Sequence, residues 1–476
     1  MHQLLSTFAL AALCCISFQS KAYQIQFKSN VASGTAYLTY YMGKNLNIQD
    51  SAVISKAGIA SFAGKAQLPG GIYAIVFGNK KYSIDFLVGS SQNLFIQADT
   101  ANLLQTEITG SKDNDIFKDY QRFVAQNGRL LMAEKKAFNE STNRADSLLH
   151  EKNYNKYNDI INKYRLDIIT KSPTSLMAVL LQAMREPQVP AAIPLTREDS
   201  LRNYYAYKKS YWDGISFADD RVVRTPFFIP KLERYYREVM DQSQVDTLIS
   251  DIDYKLLLAR TAPEMYKYLL NWFTDEYINP KYMGQDAVFV HLFEKYHSKG
   301  LTPWLNEQQM EIISRRAYMQ MANLIGVKAA DITMLNTVEK PTSLYSVDAN
   351  YTLLLFWDPT CGHCKQELPK IDSIYRASWK QKGVKIFAVL NENVKDQWLQ
   401  YIKDQNISDW IHVYQTKDMA AAETKSGKAG YRQLFDVTMT PTLLLLDKEK
   451  RIVAKKLTWE QVNQLLLVKE NNRSTN

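Results

Sequence analysis

The chain has 476 residues, of which 46% are hydrophobic and 22% charged, which is typical of a globular protein and excludes a disordered one. Its formal net charge is +9, but the lysines and arginines are scattered among acidic residues and the 29 tyrosines are dispersed, a pattern that disfavours nucleic-acid binding. The length predicts roughly three domains, and no segment after the N-terminal one approaches the roughly 18 apolar residues of a membrane helix.

The first 22 residues are predicted to be a signal peptide. Leu4 to Phe18 is an apolar stretch of about 15 residues, too short to span a bilayer, and Ser20-Lys21-Ala22 provides a small-x-small cleavage site. We therefore expect export to the periplasm or cell envelope. A basic segment before the apolar stretch is missing, and lipidation of Cys14 or Cys15, which would tether the protein to a membrane, is the alternative.

Residues 23–110 are predicted to form a small antiparallel β domain, because apolar and polar residues alternate between turn-forming sequences such as Pro69-Gly70-Gly71 and Gly78-Asn79. The predicted strands are Tyr23 to Phe27, Thr35 to Tyr41, Ala52 to Ser55, Ile72 to Phe77, Tyr82 to Val88 and Leu94 to Ala98. No catalytic grouping is evident among these residues.

Residues 111–325 are predicted to form an α-helical domain, because apolar residues recur at spacings of three and four. Prolines at 187 to 194 and 226 to 230 are predicted to separate helices. The predicted helices are Ile116 to Phe138, Ala145 to Lys171, Leu201 to Trp212, Leu232 to Met240, Ala262 to Tyr277, Ala287 to His297 and Glu307 to Leu324. His291, Glu294 and His297 drift around their helix instead of sharing one face, so we expect packed or surface histidines and no metal site.

Residues 326–476 alternate in α/β fashion. Leu353 to Trp357 is predicted to be a buried strand and Lys365 to Lys380 a helix, with Cys361-Gly362-His363-Cys364 at the junction. The unpaired N–H groups at a helix start favour a thiolate there, so the junction predicts a reactive dithiol. The remaining predicted elements are Val384 to Leu390, Val394 to Gln405, Trp410 to Tyr414, Tyr431 to Phe435, Thr442 to Leu446, Ile452 to Lys456 and Trp459 to Val468, with a mobile loop at 417–430.

Cleavage of the signal segment leaves Cys361 and Cys364 as the cysteines of the mature chain. A structural zinc site requires about four nitrogen or sulfur ligands, and the sequence offers no second CxxC. A purely structural disulfide is the other alternative. Closing so short a loop removes only about 2 kcal/mol of unfolded-state entropy, which makes it a weak means of stabilisation.

The stretch FWDPTCGHC followed by KQELP, together with Thr440-Pro441-Thr442, resembles the thioredoxin superfamily, specifically its TlpA/ResA-like branch. The resemblance extends over roughly residues 325 to 470. It implies that Cys361 attacks, that Cys364 resolves, that the two form a redox-active disulfide, and that a cis-proline, Pro441, faces them. Residues 23–110 loosely resemble a domain of unknown function that is often fused to such proteins.

Two departures from the superfamily pattern affect the expected chemistry. Leu355 stands where thioredoxins carry a buried Asp, whereas Glu367 matches a Glu that the TlpA/ResA-like branch often places three residues after the second cysteine. If Glu367 lies near Cys364, it can shuttle the proton that activates this thiol; the alternative is a solvated glutamate in the first helical turn. The supporting residues implied by the motif are Trp357, Gly362, His363, Glu367, Thr440 and Pro441. The Gly-His pair resembles that of protein disulfide isomerases, which predicts a potential of roughly −270 to −180 mV.

The sequence therefore predicts an exported thiol-disulfide oxidoreductase that acts on protein disulfides, most simply as a reductase or isomerase. No cofactor, metal or nucleic acid is expected. Its partners would be protein clients with disulfides or thiols and a membrane thiol-relay protein that supplies electrons. The competing hypothesis is an envelope protein that binds a ligand or partner and whose thioredoxin-like domain is a non-redox scaffold.

Overall fold

The computed structural model describes residues 21–187, 193–392 and 394–474. The predicted signal segment, with Cys14 and Cys15, lies outside these residues. The predicted order of a β region, a helical middle and a C-terminal α/β region is confirmed. No helix among the described residues is long and apolar enough to cross a membrane.

The chain divides into two compact units, and the divisions fall within the helical middle. One unit contains the residues up to Met240 together with Leu257–Tyr268, and the other contains Asp241–Leu256 together with the residues from Leu269 onward. The domain boundaries at 110 and 325 stay predictions.

The first unit contains two sheets, ordered β4-β1-β7-β8 and β3-β2-β5-β6 along their described strands. The strands are β1 Tyr23–Ser29, β2 Thr35–Met42, β3 Asn45–Val53, β4 Ile59–Gly64, β5 Gly71–Phe77, β6 Ser83–Val88, β7 Asn93–Ala98 and β8 Glu107–Thr109. Alternate residues of both sheets, such as Phe27 on β1 and Tyr73 on β5, point into one shared core. Most pairs are antiparallel, but β1 and β7 run in parallel.

Strand prediction was weakest at the edges of these sheets. β3 extends over nine residues instead of the predicted Ala52 to Ser55, because its exposed, polar residues hide the alternation that marks a half-buried strand. β4 and β8 were not predicted. β8 is only three residues long and lies at a sheet edge, where its backbone pairing with β7 and not its side chains identifies it as a strand.

The first unit also contains a run of helices after β8. They are α1 Lys112–Glu140, α2 Arg144–Lys171, α3 Leu176–Ala183, α4 Arg197–Ser210, α5 Asp220–Val223 and α6 Phe228–Arg234, the last continued by a π-helical turn at Tyr235–Val239. α3 was not predicted because nearly all its residues are apolar and buried, which erases the helical period. The break predicted at 226 to 230 is wrong at its end, since Pro230 lies in the first turn of α6, where no backbone N–H is needed.

Two helices each contain one of the divisions between the units: α7 Val245–Leu258, which was not predicted, and α8 Pro263–Tyr277. The second unit continues with α9 Asp286–Leu292, extended by a π-helical turn at Phe293–His297, and α10 Glu307–Met321.

The α/β part of the second unit is built on a sheet of order β10-β9-β13-β12-β11-β14-β15. Its strands are β9 Thr333–Asn336, β10 Pro341–Ser343, β11 Tyr351–Trp357, β12 Val384–Leu390, β13 Ile411–Tyr414, β14 Thr442–Asp447 and β15 Ile452–Lys455. Its helices are α11 Gly362–Ile374 with a π-helical turn at Tyr375–Trp379, α12 Lys395–Asp404, α13 Lys417–Lys425, α14 Tyr431–Leu434 and α15 Trp459–Ser474. β9 and β10 were not predicted.

β11 lies inside this sheet and is buried along its whole length. Leu353, Leu355 and Trp357 pack on one face in a core that includes Cys364, whereas Leu354 and Phe356 pack on the other. A strand covered on both faces must be apolar at every position, which is why it appears in the sequence as an unbroken apolar run.

The mobile loop predicted at 417–430 is wrong over its first part, because α13 occupies Lys417–Lys425. The Thr416 hydroxyl accepts a hydrogen bond from the backbone N–H of Met419 at 3.1 Å and so caps the helix. Three consecutive alanines, which have the highest helix propensity, follow the cap. The helix is followed by Gly427, whose φ of +69° suits a residue without a Cβ.

The first unit yields a stability prediction at Asn114, which is fully buried in the first turn of α1. Its Oδ1 accepts from the Leu87 N–H at 2.8 Å and its Nδ2 donates to the Leu87 carbonyl at 2.7 Å, so the side chain completes the free edge of β6. Asn114→Ala leaves two buried backbone groups unpaired and should destabilise the unit by about 2 kcal/mol or more. Urea unfolding and hydrogen exchange of the Leu87 amide will measure the loss.

A control for this prediction is Asn127→Ala in the same helix. The half-buried Asn127 donates only to the Phe123 carbonyl of its own helix, at 3.0 Å, so its replacement by a better helix former should change stability little. Equal losses in the two variants would show that the Asn114 bonds to β6 contribute nothing specific.

Candidate functional site

The cysteine motif begins where β11 ends. After Trp357 the chain turns through Asp358-Pro359-Thr360, and Cys361 occupies the N-cap position of α11. The Cys361 N–H donates to the Asp358 carbonyl at 3.2 Å, and the Lys365 N–H donates to the Cys361 carbonyl at 3.1 Å. The Cys361 side chain therefore lies at the end of the helix where backbone N–H groups lack partners within the helix.

The pairing of β11 with β14 brings a distant segment to this junction. Phe356 pairs with Thr442 in antiparallel register, and continuing the register by two residues brings Thr440 level with Asp358. The Cys361 Sγ donates to the Thr440 carbonyl at 3.3 Å, across a separation of 79 residues in sequence. The Thr440–Pro441 peptide bond is cis, as the resemblance implied.

Cys361 is partly exposed, and the pKa of its thiol lies below the usual value. Burial by itself raises this pKa, but the Thr440 side chain, the backbone and side chain of Cys364 and the backbone of His363 together lower it more. The bond from Sγ to the Thr440 carbonyl is available only to the protonated thiol, whereas the N–H groups of the helix stabilise the thiolate. The result is a thiol that ionises readily and faces solvent.

Cys364 lies one helical turn further along α11 and is 1% exposed. Burial, and to a smaller extent the proximity of Cys361, raise the pKa of its thiol to about 12, although contacts with the Asp358 backbone and the Thr440 side chain oppose the change. Both cysteines are free thiols in this structure. The two thiols thus differ strongly in acidity and in access to solvent, although they are separated by only two residues.

The other predicted site residues lie in different environments. His363 is exposed, and a Cβ on Gly362 would meet no atom within 4 Å, so sterics do not require glycine there. Trp357 is fully buried and packs against Tyr401, with ring centroids 5.3 Å apart. Glu367 pairs with Lys370 at 2.8 Å and lies beyond the first turn of α11, so the predicted position in the first helical turn is wrong, while its role beside Cys364 stays a prediction.

Sequence reasoning missed two residues of the site. Asp358 is buried, and its Oδ1 accepts from both the N–H and the hydroxyl of Thr360 at 2.6 Å, which fixes the turn before Cys361. An Asp followed two residues later by a hydrogen-bonded N–H is an Asx turn, so Asp358-Pro359-Thr360 carried a usable signal. Tyr401 on α12 lies close to Cys364. Burial raises the pKa of the Tyr401 hydroxyl, and the charge of the Cys364 thiolate raises it further. Nothing in the sequence links Tyr401 to the motif.

The histidines of the helical middle take part in local packing. His291 Nε2 lies 3.0 Å from both carboxylate oxygens of Asp253, and the buried His297 Nε2 lies 2.9 Å from the Thr274 hydroxyl. Burial lowers the pKa of His297 to about 4. Within the described ranges, no group of three or more His, Cys, Asp or Glu side chains is arranged to hold a metal ion.

Comparison with known proteins agrees with this geometry. Residues 23–117 match a domain of unknown function, DUF4369, and residues 325–455 match the AhpC/TSA family. The thiol-disulfide oxidoreductase ResA from a strain of Bacillus cereus is 25% identical over 142 residues, which are 30% of this chain and 74% of that protein.

Solved structures of similar chains include proteins from two other bacteria. A domain of a possible thiol-disulfide isomerase from Cytophaga hutchinsonii ATCC 33406 is 33% identical, with 32% of this chain and 97% of that chain covered and a TM-score of 0.29. A thioredoxin-like protein from Bacteroides caccae ATCC 43185 is 22% identical, with 60% and 99% covered and a TM-score of 0.46.

The contrast between the two thiols can be measured by alkylation. We expect iodoacetamide to modify Cys361 and to spare Cys364 up to about pH 9, with the rate at Cys361 half-maximal below the pKa of about 8.5 of an ordinary cysteine. Thr440→Val removes a hydroxyl that lowers this pKa, so its rate profile should shift to higher pH. Mass spectrometry of peptides from the reduced protein will give both rates.

Thr333→Val, at an exposed position of β9, is the matched control and should leave the profile in place. A half-maximal rate at or above about pH 8.5 in the parent protein, or equal reactivity of the two cysteines, would contradict the described electrostatics.

Proposed function

Because residues 325–455 belong to the AhpC/TSA family and the chain is related to thiol-disulfide oxidoreductases, we propose that this protein is an exported oxidoreductase that reduces protein disulfides through Cys361 and Cys364. The observation that carries the proposal is the contrast between a partly exposed thiol of lowered pKa and a buried thiol whose pKa is raised to about 12. A reaction in two thiol steps requires one thiol for attack and another held in reserve.

In the first step the Cys361 thiolate attacks one sulfur of a client disulfide. A bond forms between Cys361 Sγ and that sulfur, the client S–S bond breaks, and the second client sulfur leaves as a thiolate that takes up a proton from water. The Thr440 side chain and the helix N–H groups lower the pKa of Cys361, which increases the fraction of thiolate at neutral pH. Thr440 and Pro441 flank the attacking sulfur, so the client backbone would approach along this segment.

In the second step Cys364 loses its proton and attacks Cys361 Sγ. The mixed disulfide breaks, the client leaves as a dithiol, and the protein is left with a Cys361–Cys364 disulfide, so two electrons have passed to the client. The raised pKa of Cys364 keeps it protonated until the mixed disulfide forms, which limits premature reaction. The proton of Cys364 would pass to water, either directly or by way of Glu367, which lies three residues further along α11 and pairs with Lys370.

The reductive direction requires a source of two electrons for every client. A membrane thiol-relay protein fits this role, since an exported dithiol has no access to cytoplasmic reductants. The apolar N-terminal segment supports export. An isomerase would use the same two steps without net electron transfer.

Substitution of the resolving thiol tests the proposal directly. Cys364→Ala should leave Cys361 able to attack but unable to complete the exchange, so mixed disulfides with client proteins should accumulate and disappear on treatment with dithiothreitol. The double variant Cys361→Ala/Cys364→Ala is the control and should trap nothing. If Cys364→Ala traps no protein and the parent protein reduces no model disulfide, the oxidoreductase is ruled out in favour of the binding-protein alternative.

Two substitutions at His363 separate its side chain from its backbone. His363→Pro removes an N–H that lowers the pKa of Cys361, so the pKa should rise, the reduced state should lose stability, and the potential should fall by about 30 mV for each pKa unit. His363→Ala keeps the N–H and removes an exposed ring, so a much smaller change is expected. Equilibration with glutathione will measure both potentials; an unchanged or higher potential in His363→Pro would contradict this role.

A further inference from the structure

A large cavity lies in the second unit, outside the cysteine motif. Its volume is about 890 Å³, which falls within the range of small-molecule and short-peptide sites. Its walls come from the segment Ile278–Asp286, from α10, from Asp436 and Thr438, and from Lys455–Leu457 at the end of β15. The cavity is therefore lined by residues of the helical middle and by residues of the thioredoxin-like part.

The cavity carries an excess of positive charge. Two of its lining carboxylates are already occupied: Asp436 binds both Arg316 and Lys456 at 2.5 Å, and Asp286 binds the buried Lys455. Lys281 and Arg315 also line the cavity, are exposed, and form no ion pair with any described residue. Because these two cations remain free, the cavity favours an anionic ligand.

The buried part of the cavity contains hydrogen-bond acceptors that have no donor among the described residues. Gln320, 1% exposed, donates its Nε2 to the Ile278 carbonyl at 2.8 Å, which leaves its Oε1 with no partner among the described residues. Asp286 binds Lys455 through Oδ2, and its buried Oδ1 is likewise unpartnered among them. Buried acceptors normally have partners, so a ligand that fits here should bring N–H or O–H donors as well as negative charge.

The cavity is bordered by apolar side chains, since Tyr282, Met283 and Ile312 line it and are about half exposed. Thr438, which also lines the cavity, lies two residues before Thr440, whose carbonyl accepts from Cys361 Sγ. A polypeptide that presents its disulfide to Cys361 thus passes close to the cavity. Peptides supply carboxylates, N–H donors and apolar side chains together, which matches the three properties of the cavity.

We propose that this cavity binds an acidic segment of the client polypeptide next to the disulfide that Cys361 attacks, and so selects clients by charge. This inference rests on the proposed function for the identity of the client, but the cavity can be tested without any redox step. Lys281 and Arg315 would contact client carboxylates, and Gln320 and Asp286 would accept hydrogen bonds from client N–H groups.

The binding test uses a short fluorescent peptide of alternating Glu and Ala, which contains no cysteine, and matched peptides with Gln or Lys in place of Glu. Fluorescence anisotropy with the full-length protein should detect the Glu peptide alone, with affinity that falls as salt is added. Lys281→Ala/Arg315→Ala should weaken binding by about tenfold. Lys299→Ala/Lys403→Ala removes two exposed cations of the same unit outside the cavity lining and should leave the affinity unchanged.

Equal affinity for all three peptides, or equal losses in the two double variants, would overturn the proposal. Oligogalacturonate serves as a second probe because it combines carboxylates with O–H donors. If oligogalacturonate binds and the Glu peptide does not, the assignment of the cavity to a polypeptide is wrong.

A kinetic test then separates this inference from the proposed function. This test compares two disulfide peptides, one flanked by Glu and one flanked by Gln. The value of kcat/KM should be higher for the Glu peptide, and the ratio of the two values should fall about tenfold in Lys281→Ala/Arg315→Ala. Reduction of both peptides at the same rate, with no binding of the Glu probe, would overturn the cavity assignment alone. Binding of the Glu probe by a protein that reduces neither peptide would support the cavity and overturn the proposed function.

Discussion

The pairing of β11 with β14 is the constraint on which the site depends. β11 delivers Cys361 to the start of α11, and the antiparallel register with β14 brings Thr440 within hydrogen-bond distance of the Cys361 sulfur. This register is tightly specified because both strands are buried, so a shift by one residue would exchange the two faces of apolar side chains. Packing between the strands therefore fixes the position of Thr440 relative to the Cys361 sulfur.

The acidity of the two thiols follows from a competition between burial and the start of the helix. Burial alone disfavours the thiolate of either residue. Cys361, at the N-cap, meets the Thr440 side chain and N–H groups that have no partner within the helix, and together with the Cys364 side chain these outweigh its partial burial. Cys364 faces the core beside Leu368 and gains too few such contacts to compensate. One turn of helix thus separates a partly exposed thiol of lowered pKa from a buried thiol of raised pKa.

The helical segment of the second unit is tied to the thioredoxin-like part by buried charge. The Lys455 ammonium binds Asp286 and donates to the carbonyl and Oδ1 of Asn323 at 2.7 and 2.6 Å, so all three of its protons have acceptors. Removing one partner would leave a buried charge uncompensated, which usually costs about 3 to 5 kcal/mol. Arg316 likewise holds Asp436, in the segment that leads to Thr440. Such a network specifies one arrangement of α9, α10 and β15.

The sequence by itself determined the elements whose signal is local. The apolar run of β11, the cysteines at a strand-to-helix junction and the helical periods of α1 and α2 follow from residues that lie close together in the chain, and the structure has each of them. The Asx turn at Asp358 was equally local and could have been recognised.

Only the tertiary structure decided where side chains with several possible partners would go. Tyr401 lies close to Cys364, which is distant from it in sequence. In the same way, Gln320 and Lys281 come from separate segments of the chain and line one cavity. Such contacts depend on how elements pack and not on the residues beside them, so no periodicity or motif in the chain records them.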